Sequence, residues 1–386
     1  MIYLDNAATT QIAPEVIEEM MPYLEKEYGN PGSLHKLGRN AALAVSKARK
    51  QVADSIEADP EQIIFTSGGS EANSLVFQGL RDYLSNIGKK TIIVSAVEHD
   101  SVLKAANSLT KDGFDVKILG VNRFGEADIG QLEKMISPEV GLVSVMYVNN
   151  ETGAVNDVEK IGALCHHNNI LFHTDCVQAA GCYCIDVRKI NCNFASISSH
   201  KIHGPKGIGA LYVKNKNVLS PLIYGGSEQE FGIRGGTENT AGIVGFGKAC
   251  SMYDNMYLKI VSVYKKVFAR IVEENLRVCG LDEIIKINGK SDSRGRILNI
   301  RFDGIDGETL VLYLDSEGIA VSSGSACCSK ESTPSHVLTA MGLSSEDARN
   351  SIRISFSDYN SIAEIERAAN AISDYVIDAV TVNSKD

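Results

Sequence analysis

Apolar positions in this chain follow two periods. A helical pattern runs from about 36 to 56. The run Ile63-Ile64-Phe65-Thr66 is apolar without a break, as in a strand covered on both faces, and leads through Ser67-Gly68-Gly69-Ser70 into a second helix. Further strands are predicted over 91–94, 116–120, 142–148, 170–174, 194–197 and 208–213, with helices such as 158–167 between several of them. Continuous apolar strands joined by helices predict an α/β fold with a large, mostly parallel sheet. The pattern changes after about residue 255. One long helix is expected over roughly 240–275, then a strand at 297–302, a helix at 308–316, a loop at 321–335, a strand at 351–357 and a last helix to about Val380. This reads as a small α+β domain. The expected division is 15–255 for the large domain, and 1–14 with 256–386 for the small one. A cleft between two such domains is a common place for a cofactor.

Composition changes this picture little. A chain of 386 residues is too long for one compact core. The net charge of −10 argues against nonspecific binding to nucleic acid. No stretch approaches the roughly 20 apolar residues of a membrane span. The start, Met-Ile-Tyr-Leu-Asp-Asn, is neither basic nor apolar enough for a secretory signal, so the cytoplasm is the expected location. The nine cysteines are odd in number and include no CxxC pair. They read as small core residues in a reducing compartment, with no metal ligand set assigned and a structural zinc poorly supported.

Four places carry candidate chemistry. In Ser67-Gly68-Gly69-Ser70-Glu71 the glycines let backbone N–H groups approach an anion at a helix N-terminus, and Ser70 adds a hydroxyl. The same pattern also fits a plain strand-to-helix turn with Ser70 as its cap. In Ser198-Ser199-His200-Lys201, between two apolar strands, a lysine beside hydroxyls suits a Schiff base with a carbonyl cofactor, and His200 suits its phosphate. Asp175 ends a strand, with Gln178 three residues on. A carboxylate there points into the ligand crevice of an open α/β sheet and can keep a pyridine nitrogen protonated. His99, after Glu98, stands in a similar position and can stack on a flat ring and move protons. Taken singly, Asp175 also fits a helix cap and His99 an ordinary loop histidine.

Together with other segments, these motifs resemble the NifS/IscS family of cysteine desulfurases, which depend on pyridoxal 5'-phosphate (PLP). The resemblance runs in order along essentially the whole chain. It comprises Tyr3-Leu4-Asp5-Asn6-Ala7-Ala8-Thr9-Thr10, Gly29-Asn30-Pro31, Thr66 to Asn73, Glu98-His99, Val148-Asn149-Asn150-Glu151-Thr152-Gly153, Asp175-Cys176-Val177-Gln178 and Ser198 to Lys201. Arg234-Gly235-Gly236-Thr237-Glu238-Asn239, Ser322-Ser323-Gly324-Ser325-Ala326-Cys327 and Arg353-Ile354-Ser355 complete it.

The resemblance implies a fold of the aspartate-aminotransferase type (PLP fold type I) and a homodimer. It implies that Lys201 carries PLP, that Asp175 pairs with the pyridine nitrogen, that Gln178 contacts the ring hydroxyl and that His99 stacks on the ring. Gly69, Ser70, Ser198 and His200 would bind the phosphate, with Thr237 reaching in from the neighbouring subunit. Asn150 and Arg353 would hold the carboxylate of L-cysteine, and Cys327 would accept the sulfur as a persulfide. The sulfur would then pass to an acceptor protein such as an iron–sulfur scaffold. Other readings are a selenocysteine lyase, another PLP enzyme of this fold, or a scaffold without activity. The presence of Lys201, Asp175 and Cys327 together argues against the last. Some positions depart from the family pattern. Ser70 stands for a threonine, Cys176 for a small residue, Phe231 for an arginine, and Ser357-Asp358 for Gly-Arg.

Overall fold

The computed structural model describes residues 1–226, 228–252, 255–290, 294–323 and 334–383. Its centre is a seven-stranded sheet. The strand order is Ile63–Thr66, Gly209–Val213, Phe194–Ser198, Leu171–Asp175, Val140–Ser144, Thr91–Ser95 and Asp115–Leu119. Gly209–Val213 runs antiparallel to both neighbours, and every other pairing is parallel. The unbroken apolar runs have the reason the pattern suggested: alternate residues enter different cores. Ile63 and Phe65 face one layer while Ile64 faces the other, and Ile93 is likewise opposed to Ile92 and Val94. One layer is closed by helices Lys36–Asp54 and Val158–His167, the other by Gly69–Asn86 and Asp100–Ser108. Asp115–Leu119, at the sheet edge, is mostly exposed.

A second core forms on an antiparallel sheet of Ile285–Asn288, Ile297–Phe302 and Ser351–Ser355, with Asn299 opposite both Arg353 and Asn288. Helices Asn255–Val278 and Ile362–Asn383 pack on it. The chain's first strand, Ile2–Tyr3, pairs with Ile319–Ala320, and Ile2 and Leu4 enter this same core. Leu4 also accepts a bond from the Ser355 amide, so Asp5 to Thr9 leave the small domain and run towards the large one.

The expected single helix over 240–275 is two, Thr240–Ser251 and Asn255–Val278. The first is buried almost all round, whereas the second is amphipathic and packs on Ile362–Asn383. They serve different cores, so one helical direction cannot satisfy both. The strand expected over 142–148 ends at Ser144, and the following residues leave the sheet towards the cleft. Helix Pro14–Glu25 and strand Ile285–Asn288 were not anticipated. The first has proline at both its start and its interior, and the second is short and half polar. Among the described residues, no helix is long and apolar enough to cross a membrane.

Candidate active site

Four neighbouring strands end at one edge, each passing directly into a candidate residue. Ser95 leads to Glu98 and His99, Ser144 to Met146 and Asn150, the last strand residue of Leu171–Asp175 is Asp175 itself, and Ser198 leads to Lys201. This is where an open α/β sheet collects its ligands. The cavity there has a volume of about 340 Å³. Gly69, Ser70, His99, Asn150, Asp175, Gln178, Ser198, His200, Lys201 and Arg353 all line it.

Asp175 is buried and held in one orientation. Asn73 Nδ2 donates to its Oδ2 at 2.8 Å, and the Val177 amide donates to its Oδ1 at 2.9 Å. His99 caps helix Asp100–Ser108 by accepting the Ser101 amide at Nδ1, 3.1 Å away. With Nδ1 used as an acceptor, a neutral ring carries its proton on Nε2. Helix Gly69–Asn86 begins after Gly68, which has no side chain to cap it. Its first-turn N–H groups therefore lack the usual side-chain partner, and Ser70 and Ser198 place hydroxyls in the same cavity. A Cβ on Gly69 would come within 2.7 Å of Val177 Cγ2, so this close approach needs glycine.

Lys201 is held by the N-terminal segment. Its Nζ donates to the carbonyls of Ala7 at 2.8 Å and Ala8 at 2.7 Å. Burial pushes the amine down to about 7, helped by the positive charges of Arg296 and Arg353 and opposed by Asp5 and Asp175. His200 is pushed down to about 4 by burial and by nearby cations, so its ring is neutral at pH 7.

Across the cavity, Arg353 comes from the small domain and is 2 % exposed. It donates to Asp5 Oδ1 at 2.8 Å and to the Asn150 carbonyl at 3.0 Å, while its Nε has no protein partner. A planar guanidinium fixed on one side in this way suits a carboxylate.

Thr237 is exposed and does not line this cavity. Cys327 and Cys328 lie outside the described residues, as do Gly324, Ser325 and Ala326. Cys176 is fully buried, and burial pushes its thiol well up, which suits a small core filler. Phe231 is 43 % exposed, with Lys216 Nζ 3.6 Å from its ring centre. Among the described residues no cluster of His, Cys, Asp and Glu is suited to a metal ion.

Reading the residues alone missed several contributors. Asn73 sits one turn after Ser70, and a polar residue on the buried face of a helix was the available signal. Glu98 is fully buried. Its Oε1 accepts from Ser95 Oγ at 2.6 Å and the Met146 amide at 2.7 Å, and its Oε2 has no partner. Burial raises its carboxyl to about 8. His336 lines the cavity with Nε2 3.0 Å from the Glu98 carbonyl. Arg296 and the carbonyls of Ala7 and Ala8 left no mark that local pattern could reveal.

Comparison with known proteins agrees with this geometry. The family described as aminotransferase class-V matches residues 2–368. The chain is 41 % identical to a cysteine desulfurase IscS of Clostridium botulinum, over 95 % of this chain and 91 % of the relative. A solved NifS-like protein superposes with a TM-score of 0.88 at 34 % identity, covering 97 % of this chain and 99 % of the other. A structure described as SspA in complex with cysteine gives a TM-score of 0.78 at 35 % identity, covering 94 % and 100 %.

Proposed function

The chain belongs to the class-V aminotransferase family, among its NifS/IscS-like cysteine desulfurases, and from that footing we propose that it takes sulfur from L-cysteine onto its own Cys327. The observation that carries the reading is the meeting of Lys201, Asp175 and Arg353 on one cavity that ends at an uncapped helix N-terminus.

The donor set fits PLP. The Gly69–Asn86 helix start with Ser70, Ser198 and His200 suits the phosphate, where the neutral His200 ring leaves a nitrogen free to share a proton. Asp175 suits the pyridine nitrogen, and Gln178 the ring hydroxyl. Bound through its aldehyde to Lys201, the cofactor supplies an electron sink for charge developing at the substrate Cα. Thr237 is assigned to the neighbouring subunit's site in a homodimer, in keeping with its exposure.

The protein's own groups do the rest. Arg353 and Asn150 would hold the substrate carboxylate and so orient the substrate Cα. Lys201, whose amine is lowered to about 7 and so is neutral in a large fraction at that pH, moves the proton at Cα. His99 carries a proton at Nε2 within reach of the same space. The Cys327 thiolate attacks the substrate sulfur, the S–S bond forms as the C–S bond breaks, and the electron pair stays with the carbon fragment that leaves as alanine. Cysteine plus one protein thiol gives alanine plus one persulfide, so no outside oxidant or reductant enters. An acceptor protein, such as an iron–sulfur scaffold, would then receive the sulfur.

The test is mass spectrometry of the peptide that contains residues 324–333 after incubation with cysteine and no reductant. A persulfide increment on Cys327, absent from Cys327→Ala, is expected, while that variant still binds PLP. An increment on Cys328, or full sulfide release by Cys327→Ala, overturns the assignment.

A further inference from the structure

Beside Lys201, a second buried arginine closes a circuit of hydrogen bonds. Arg296 directly precedes the small-domain strand Ile297–Phe302 and is 3 % exposed. Its backbone carbonyl accepts the Phe356 amide, which ties it to the small-domain sheet. Its side chain crosses to the large domain. One terminal nitrogen donates to the Lys201 carbonyl at 2.7 Å and the other to Gln178 Oε1 at 2.7 Å. Gln178 in turn donates through Nε2 to the Ala7 carbonyl at 2.8 Å, the same carbonyl that receives Lys201 Nζ. The four residues thus form a closed ring of charge-assisted and ordinary hydrogen bonds that includes both ends of Lys201.

Two consequences follow from donor and acceptor chemistry. Arginine only donates, so Gln178 Oε1 is committed as an acceptor. The amide nitrogen is then the part of Gln178 left to meet a ligand, and it offers a donor to an oxyanion. The Lys201 backbone, bonded through its carbonyl, cannot turn without breaking a charge-assisted bond in a buried place.

We propose that Arg296 is a positioning residue: from the small domain it sets Gln178 as a donor, anchors the Lys201 backbone and keeps a fixed cation beside the Lys201 amine. This rests on the Lys201 assignment above. The groups that bear on the amine are Arg296 and Arg353, which favour its neutral form, and Asp5 and Asp175, which favour the ammonium; His200 adjoins it as a neutral ring. A neutral amine is what attacks an aldehyde and what accepts a proton.

The experiment titrates Lys201 directly. Full-length protein freed of PLP is reductively methylated with formaldehyde and cyanoborohydride across a pH series, and the Lys201 peptide is quantified by mass spectrometry. Arg296→Met should move the midpoint of Lys201 labelling up by about one pH unit, roughly fivefold slower labelling at pH 7. Arg296→Lys keeps the charge and loses the fork. It should hold the wild-type midpoint yet weaken PLP binding several-fold, read by equilibrium dialysis. A wild-type midpoint in a folded Arg296→Met variant overturns the proposal. If that variant does not fold, wild-type PLP affinity in Arg296→Lys overturns it as well. Neither readout needs desulfurase turnover. Failure of the Lys201 assignment would show separately, as PLP bound without a covalent link in the unmodified protein.

Discussion

The two walls of the cavity are built by different means. The large-domain wall consists of strand ends: Asp175 closes a strand of one sheet, and His99 and Lys201 each follow another within a few residues. Asp175 and His99 have near-neighbour partners in Val177 and Ser101, although Asn73 and the Ala7 and Ala8 carbonyls reach Asp175 and Lys201 from distant segments. The small-domain wall is assembled from distant chain segments. Arg353, which lines the cavity, is held by Asp5, and Arg296, which stands outside the lining, by Gln178 and Lys201, across separations of hundreds of residues or about a hundred. The difference teaches that the first wall is a property of sheet topology, while the second exists only when the two domains are packed. Substitutions in the first should change chemistry and leave domain packing alone. Those in the second should change both.

The largest effect should come from Lys201→Ala. It should abolish turnover and the covalent PLP absorption band, with little change in melting temperature. Retained activity would break the assignment of the large-domain wall, and a large loss of stability would break the contrast between the walls.

Next is Arg353→Ala. Removing the guanidinium partner of a buried carboxylate typically costs about 2–5 kcal/mol, on the order of thirty-fold to a few thousand-fold in KM for cysteine. Because Asp5 loses its partner too, melting should also drop, which sets this variant apart from Lys201→Ala. An unchanged KM in steady-state assays would place the substrate carboxylate elsewhere.

Asn73→Ala should act more mildly. It removes a buried donor to Asp175, at roughly 1–3 kcal/mol. Weaker PLP retention on dialysis with near-normal KM for cysteine is the expected pattern. A raised KM with normal retention would contradict it.

Last comes Glu98, whose effect is read in stability against pH, not in activity. Its carboxyl is raised to about 8 in the folded protein against 4.5 as its ordinary value. Below the ordinary value both states are protonated and its stability contribution is fully present. As pH rises the unfolded chain ionises first, so that contribution is lost progressively up to about 8. Glu98→Gln does not titrate. Its melting temperature should therefore gain on the wild type as pH rises from about 4.5 to 8. Parallel pH curves for the two proteins would show that Glu98 is ionised when folded.

The cavity's large-domain lining was largely legible because its signals are local. A glycine-rich turn before a helix, a carboxylate at a strand end and a lysine after a strand keep their meaning at short range, and one strand period places them on one edge. The ordered motifs then pointed to the family, and with it to Gln178, Asn150 and Arg353. Long-range partners were not legible. Nothing near Arg296 says that its side chain will cross to Gln178, and nothing near Ala7 says that its carbonyl will hold an amine from residue 201.

The amino-acid sequence by itself determined the alternation of helix and strand and the residue types available at each strand end, since these depend on periodicity and on neighbours a few residues away. Only the tertiary structure decided that the chain's first residues belong to the small-domain core, that the expected long helix divides between two cores, and that two arginines span the cleft. The physical reason is that a buried charge or an unpaired carbonyl must find a partner wherever one is available in space, and that partner is set by packing rather than by distance along the chain.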